Sequence, residues 1–225
     1  MSVHRHFDER LDELTERLHQ MSHDVEELVA RAMDLVTGEG ELLTVVEVRE
    51  ADHAIDGAEV AIEETAIELL ALHQPMAIDL RVLVTILKIN NDLERIGDHA
   101  VNIAEAAERL AKLRKPVPRP PELEEMSRLA RAMLRDALDA FVHQNADEAR
   151  DVLTRDDVVD RLQDSLFRVM LTHMPEHNIS GCLQVILIGR NLERIADLAT
   201  NVGEDVVYMV QGTTIRHGGG EEEAS

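Results

Sequence analysis

Eight carboxylates recur in this chain at a spacing that suits metal chemistry. Glu94 and Asp98 stand four residues apart, hence on one face of a helix and about 6 Å apart along its axis, with Asn102 one turn further. Glu193, Asp197 and Asn201 repeat the arrangement. A second set of pairs precedes each: Asp52 with Asp56, and Asp156 with Asp160. If these segments fold back as helical hairpins, residues equidistant from a bend come level. Asp56 with Glu94, and Asp52 with Asp98, reflect about Pro75. Asp160 with Glu193, and Asp156 with Asp197, reflect about the turn that holds Pro175 and Glu176. Carboxylates this close repel by about 1 to 3 kcal/mol per pair at effective dielectrics of roughly 80 to 20, which a divalent cation relieves best. All-oxygen ligands favour hard ions such as magnesium, manganese or ferrous iron, and acids at i and i+4 can bridge neighbouring ions of a multinuclear cluster. Arg95 and Arg194 offer a milder counter-charge, but one residue along a helix places them about 100° round from the acids. The rival reading is a solvated acidic face, in a chain where 45 of 225 residues are Asp or Glu.

Other chemistry is weaker. Glu-x-x-His occurs at Glu16 to His19 and at Glu50 to His53, the spacing of di-iron carboxylate bundles. Neither copy recurs in the second half, and folding the first hairpin about Gly38 leaves the two histidines about 7 Å out of level. No phosphate-cradling glycine loop, nucleophile elbow or zinc spacing is present, so no catalytic residue and no organic cofactor is expected.

The elements that must hold the acids are helices. Apolar residues from Phe7 through Leu11, Leu14, Leu18, Met21, Val25, Leu28 and Ala32 to Leu35 line one face of a long helix, which "TGEGE" at 37–41 ends. A second helix is expected from about Leu42 to His73. Pro75 is placed to open a third, running to about Arg114. "KPVPRPP" at 115–121 holds four of the six prolines and forms a linker. Three more helices follow, at about Glu122 to Gln144, Asp147 to His173 and Ser180 to Gln211. The chain thus divides into a three-helix unit at 1–114, the linker at 115–121, a second three-helix unit at 122–212 and an acidic, disordered tail at 213–225. "LERIGDHAVNIAE" at 93–105 returns as "LERIADLATNVGE" at 192–204, so the units are an internal duplication. With prolines between them, few contacts are expected to cross.

A formal net charge of -22 argues against a nucleic-acid surface, and three Phe, one Tyr and no Trp leave little to stack on bases. The same charge disfavours anionic lipid headgroups. The lone Cys182 sits in the apolar run "CLQVILIG" and reads as a buried structural thiol. The polar N-terminus shows no signal peptide and no apolar run reaches the ~20 residues of a membrane span, so a soluble, cytoplasmic protein without membrane insertion is expected.

"HQPMAIDLR" at 73–81, followed by "NNDLERIGDHAVNIAE" and then "NLERIADLATN", resembles the PhoU family from about Phe7 to Gln211. The resemblance implies an all-α fold, a tandem pair of spectrin-like three-helix bundles, often dimeric, whose acidic pairs bind metal clusters. It carries the metal residues onto the same eight: Asp52, Asp56, Glu94 and Asp98, and Asp156, Asp160, Glu193 and Asp197. It further implies a non-enzymatic negative regulator of the phosphate-starvation response. Its implied partners are the ATPase subunit of the phosphate ABC importer and a membrane sensor histidine kinase. The rival is a di-iron carboxylate enzyme; a third option is a guiding protein for another ion's transporter. One departure stands out: Ala196 replaces the Gly97 of the first motif, which puts equal metal affinity in the two halves in question.

Overall fold

The computed structural model describes residues 2–38, 44–176 and 178–213, and among them every regular element is a helix. The elements are α1 (Ser2–Thr37), α2 (Val45–His73), α3 (Ile78–Ala111), α4 (Pro121–Val142), α5 (Ala146–Leu153), α6 (Asp156–His173) and α7 (Ile179–Gln211). The expected start at Leu42 and nearly all of the expected tail lie outside the described residues.

Local chemistry sets the helix ends. Thr44 and Glu47 form a reciprocal capping box at α2, the Thr44 N–H donating to Glu47 Oε2 at 2.7 Å. Asn145 and Asn178 accept from the first turns of α5 and α7. Gly212, at φ 71°, closes α7 by donating to the Tyr208 carbonyl at 2.8 Å.

Two boundaries differ from expectation. Pro75 does not open the third helix: Gln74 ends α2 in the left-handed region (φ 47°), Ala77 follows at φ 51°, and α3 begins at Ile78. The expected helix from Asp147 to His173 is two helices, broken at Thr154 and Arg155. Thr154 Oγ1 donates to the Asp151 carbonyl at 2.8 Å, and Arg155 reaches away to pair with Asp136 on α4. The side chains thus hold the last turn of α5 and let the chain redirect without a proline or glycine.

α3 and α7, the two motif helices, pack against each other more extensively than either packs on any other helix. They run antiparallel, since Lys88 pairs with Asp205 at 2.5 Å while His99 Nδ1 lies 2.9 Å from Asn191 Oδ1 further along. α1 and α2 flank α3, whereas α4, α5 and α6 surround α7, and α1 also meets α4, where Glu26 pairs with Arg135. The expectation that few contacts cross between the halves therefore differs from the structure. The reason is the breadth of the apolar faces: α3 buries Leu83, Ile86, Leu93, Ile96, Ala100 and Ala107, and α7 buries residues on most of its circumference. Small residues allow close approach. A methyl on Gly203 would come within 3.1 Å of the Ala149 carbonyl oxygen on α5. One contiguous hydrophobic core results.

Candidate metal centre

Each hairpin sets its two acidic pairs on facing helices, α2 with α3 and α6 with α7. In the first half the register follows the reflection about Pro75. Asn90 Nδ2 donates to the Glu59 carbonyl at 2.9 Å, and Gly97 lies directly beneath Asp52. A methyl on Gly97 would stand 2.8 Å from Asp52 Oδ1, so the missing side chain is what lets this carboxylate approach α3. Burial, then repulsion from Asp56 and Asp98, pushes the Asp52 carboxyl up to about 6. Glu94 is raised too, by burial and then by Asp98, Asp56, Glu59 and Asp52. The four acids thus feel one another, and Glu59 joins them. That fifth acid was not singled out from sequence, although it lies three residues from Asp56 on the same helix. His53 Nδ1 lies 3.4 Å from Asp56 Oδ2 at the exposed edge.

The second half gathers its acids more tightly. Asp160, Glu193 and Asp197 each offer an oxygen within 4.8 Å of the other two, the donor set a hard divalent ion takes. Burial raises the Glu193 carboxyl, with Asp197 adding to the rise, Arg194 opposing it and Asp160 adding again. Asp156 is not one of the converging three. Its Oδ1 faces Thr200 Oγ1 at 3.5 Å. The buried Ala196 stands at the position that Gly97 holds in the first motif. Arg194 also departs from expectation: its long side chain reaches one turn forward to donate to Asp197 Oδ2 at 2.7 Å, while Arg95 turns back to Asp92. The donor sets of both halves fit an oxygen-ligated cation, three acids converging in the second and four mutually coupled in the first. Among the described residues no histidine belongs to the converging group.

The raised carboxyls give the cation-free protein a pH dependence of definite sign. Asp52 and Asp92 bind protons in the folded state up to about pH 6, while the unfolded chain releases them near 4. Between those limits the folded state holds more protons, so stability increases as the pH falls; Glu94 and Glu193 add in the same direction. In the presence of a chelator, the melting temperature is expected to rise as pH is lowered from about 7 to about 5, and the rise to shrink in Asp52→Asn. A level or falling melting temperature over that range would show that the acids do not repel as their positions imply.

A family model described as the PhoU domain matches residues 18–107 and 123–206. A phosphate-specific transport system accessory protein PhoU homolog of Rhizobium meliloti (strain 1021) is 36% identical over 208 residues, spanning 92% of this chain and 87% of that protein. Its counterpart in Pseudomonas putida is 38% identical over 219 residues, spanning 96% and 85%. The crystal structure of PhoU from Pseudomonas aeruginosa superposes with a TM-score of 0.85 at 36% identity, covering 92% of this chain and 100% of that one. That of the phosphate transport system regulatory protein PhoU from Streptococcus pneumoniae gives 0.84 at 31%, covering 93% and 99%.

Proposed function

This chain belongs to the PhoU family, and from that premise we propose that it signals phosphate sufficiency from the phosphate importer to a sensor histidine kinase. Its general role is that of an accessory and regulatory protein of phosphate transport. The observation that carries this reading is the family match over both repeats, with relatives of the same printed role aligned over more than nine-tenths of the chain. In this reading the protein is a non-enzymatic cytoplasmic adaptor, acting as a homodimer. It contacts the importer's ATPase subunit and the membrane kinase, and it represses the starvation response. No described helix is long and apolar enough to cross a membrane, so contact with either machine is assigned to protein surfaces.

Divalent cations form part of the proposal. Asp160, Glu193 and Asp197, with Asp156 alongside, would hold one centre; Asp52, Asp56, Glu94 and Asp98 would hold the other. A bound cation would supply charge neutralisation, drawing α2 to α3 and α6 to α7 at a level where the bare acids push them apart. The chain's own residues do the rest. Gly97 admits Asp52, and Arg194 steadies Asp197.

Deleting the gene is expected to leave a starvation-promoter reporter switched on in phosphate-replete medium. Normal repression in a deletion strain that holds no second copy would remove the regulatory reading.

A further inference from the structure

One pattern on α1 belongs to neither acidic hairpin. "HQMSH" at 19–23 sets His19 and His23 four residues apart, and Glu16 stands three residues before His19. All lie inside an unbroken helix of 36 residues. At 100° per residue the three fall within a sector of about 60°, nearly opposite the stripe of Leu14, Leu18, Met21, Val25 and Leu28 that α1 buries. All three are exposed. Of the eleven histidines, these are the only two that stand four apart within one described helix. His53, in the other Glu-x-x-His, has Arg49 and Gly57 at those positions and lies against Asp56 instead.

The neighbouring donors are already engaged. Arg17 donates to Glu13 at 2.7 Å, Gln20 to Asp24 at 3.0 Å, and Arg31 pairs with Glu27. Glu26 takes Arg135 from α4. Among the described residues, Glu16, His19 and His23 have no side-chain hydrogen bond, ion pair or ring contact. Turning them onto one ion therefore breaks no contact and costs only rotamer freedom.

We propose that His19 and His23, with Glu16 as a third ligand, form a zinc site on the outer face of α1. The geometry is that of helical zinc sites: four residues give a rise of about 6 Å and a rotation of about 40°, which lets two imidazoles reach one ion. The full H-E-x-x-H signature adds a glutamate base between the histidines. Here Gln20 occupies its place, so the ligand positions are kept and the base is not. The site thus binds an ion and hydrolyses nothing. Imidazole selects zinc and its late first-row neighbours, whereas the all-oxygen centres of the hairpins suit harder ions. The surplus of acids behind the net charge of -22 concentrates divalent cations at the surface. Unlike Asp160, Glu193 and Asp197, the three do not converge beforehand, so water completes the shell and affinity is modest.

The test is a titration of zinc chloride into full-length, chelator-treated protein carrying isotope-labelled histidine, with proton–nitrogen correlation spectra following each imidazole ring. The rings of His19 and His23 are expected to shift together and saturate before any other histidine moves. In His19→Gln the His23 ring should need about tenfold more zinc or beyond, and so should the His19 ring in His23→Gln, since losing even an outer-shell partner costs about 10- to 100-fold in affinity. Glu16→Gln should raise the zinc midpoint by a smaller factor, about threefold, with water taking the vacated position. Magnesium at the same concentrations should move neither ring. All three variants should melt with wild type in chelator, because the side chains are exposed and unpaired. The proposal is overturned if zinc moves neither ring, moves all the histidines indiscriminately, or acts on either histidine variant at the wild-type midpoint. An unchanged midpoint in Glu16→Gln overturns the third ligand. Glu193→Ala with Asp197→Ala should leave the response intact, and none of these readings involves phosphate repression, so this site and the regulatory role stand or fall separately.

Discussion

Leu192→Ala is expected to cost about 3 kcal/mol of folding stability and to shift the unfolding of the whole chain, in one transition. Leu192 opens the second copy of the motif and is fully buried in α7, the helix that meets α3, α4, α5 and α6. Truncation removes its buried methyl groups and leaves a cavity that five packed helices cannot collapse around. Because α3 and α7 share one core, the loss is not confined to the second half. Urea unfolding followed by far-UV circular dichroism checks it. Two transitions, of which only one moves, would mean that the halves fold separately despite their shared interface.

Manganese added to chelated protein is expected to raise its melting temperature by about 5 to 10 °C for each site filled, at roughly a hundred times the dissociation constant. That figure corresponds to about 2.7 kcal/mol per site and a few degrees per kcal/mol for a chain of this size. The cation binds the folded state, where Asp160, Glu193 and Asp197 converge, and not the unfolded chain, where they are scattered. The bare acids already destabilise the fold, as the raised Asp52, Glu94 and Glu193 carboxyls record. Glu193→Ala with Asp197→Ala should therefore melt at or above wild type in chelator, yet gain markedly less from manganese. Loss of helix content in that variant, or an undiminished manganese shift, would argue that these acids serve only as a solvated face.

The acidic pairs were legible in the sequence because their placement rests on local rules. A four-residue spacing fixes a helix face, and a short turn fixes which residues come level. The reflection about Pro75 is the register that Asn90 and Glu59 display, and the Asp160–Glu193 pairing follows from the second turn in the same way. What depended on neighbours distant in sequence was not legible. The α5–α6 break comes from Arg155 reaching Asp136, nineteen positions back, with no proline or glycine to announce it. The packing of α3 on α7 follows from broad apolar faces whose partner periodicity does not name. Arg194 was set aside on its angle round the helix, yet its reach brings the guanidinium to Asp197. The Ala196 for Gly97 difference was visible, but that Asp52 lies over Gly97 while Asp156 stands outside the converging three was not.

Metal content is the quantity to measure: elemental analysis of wild type, Glu94→Ala with Asp98→Ala, and Glu193→Ala with Asp197→Ala, each dialysed against manganese and then against buffer. Wild type should retain manganese, and each double variant should lose about half of it, because each half holds its own centre. Full retention in both variants, or none in wild type, would leave the paired acids as a solvated face with no cation to hold.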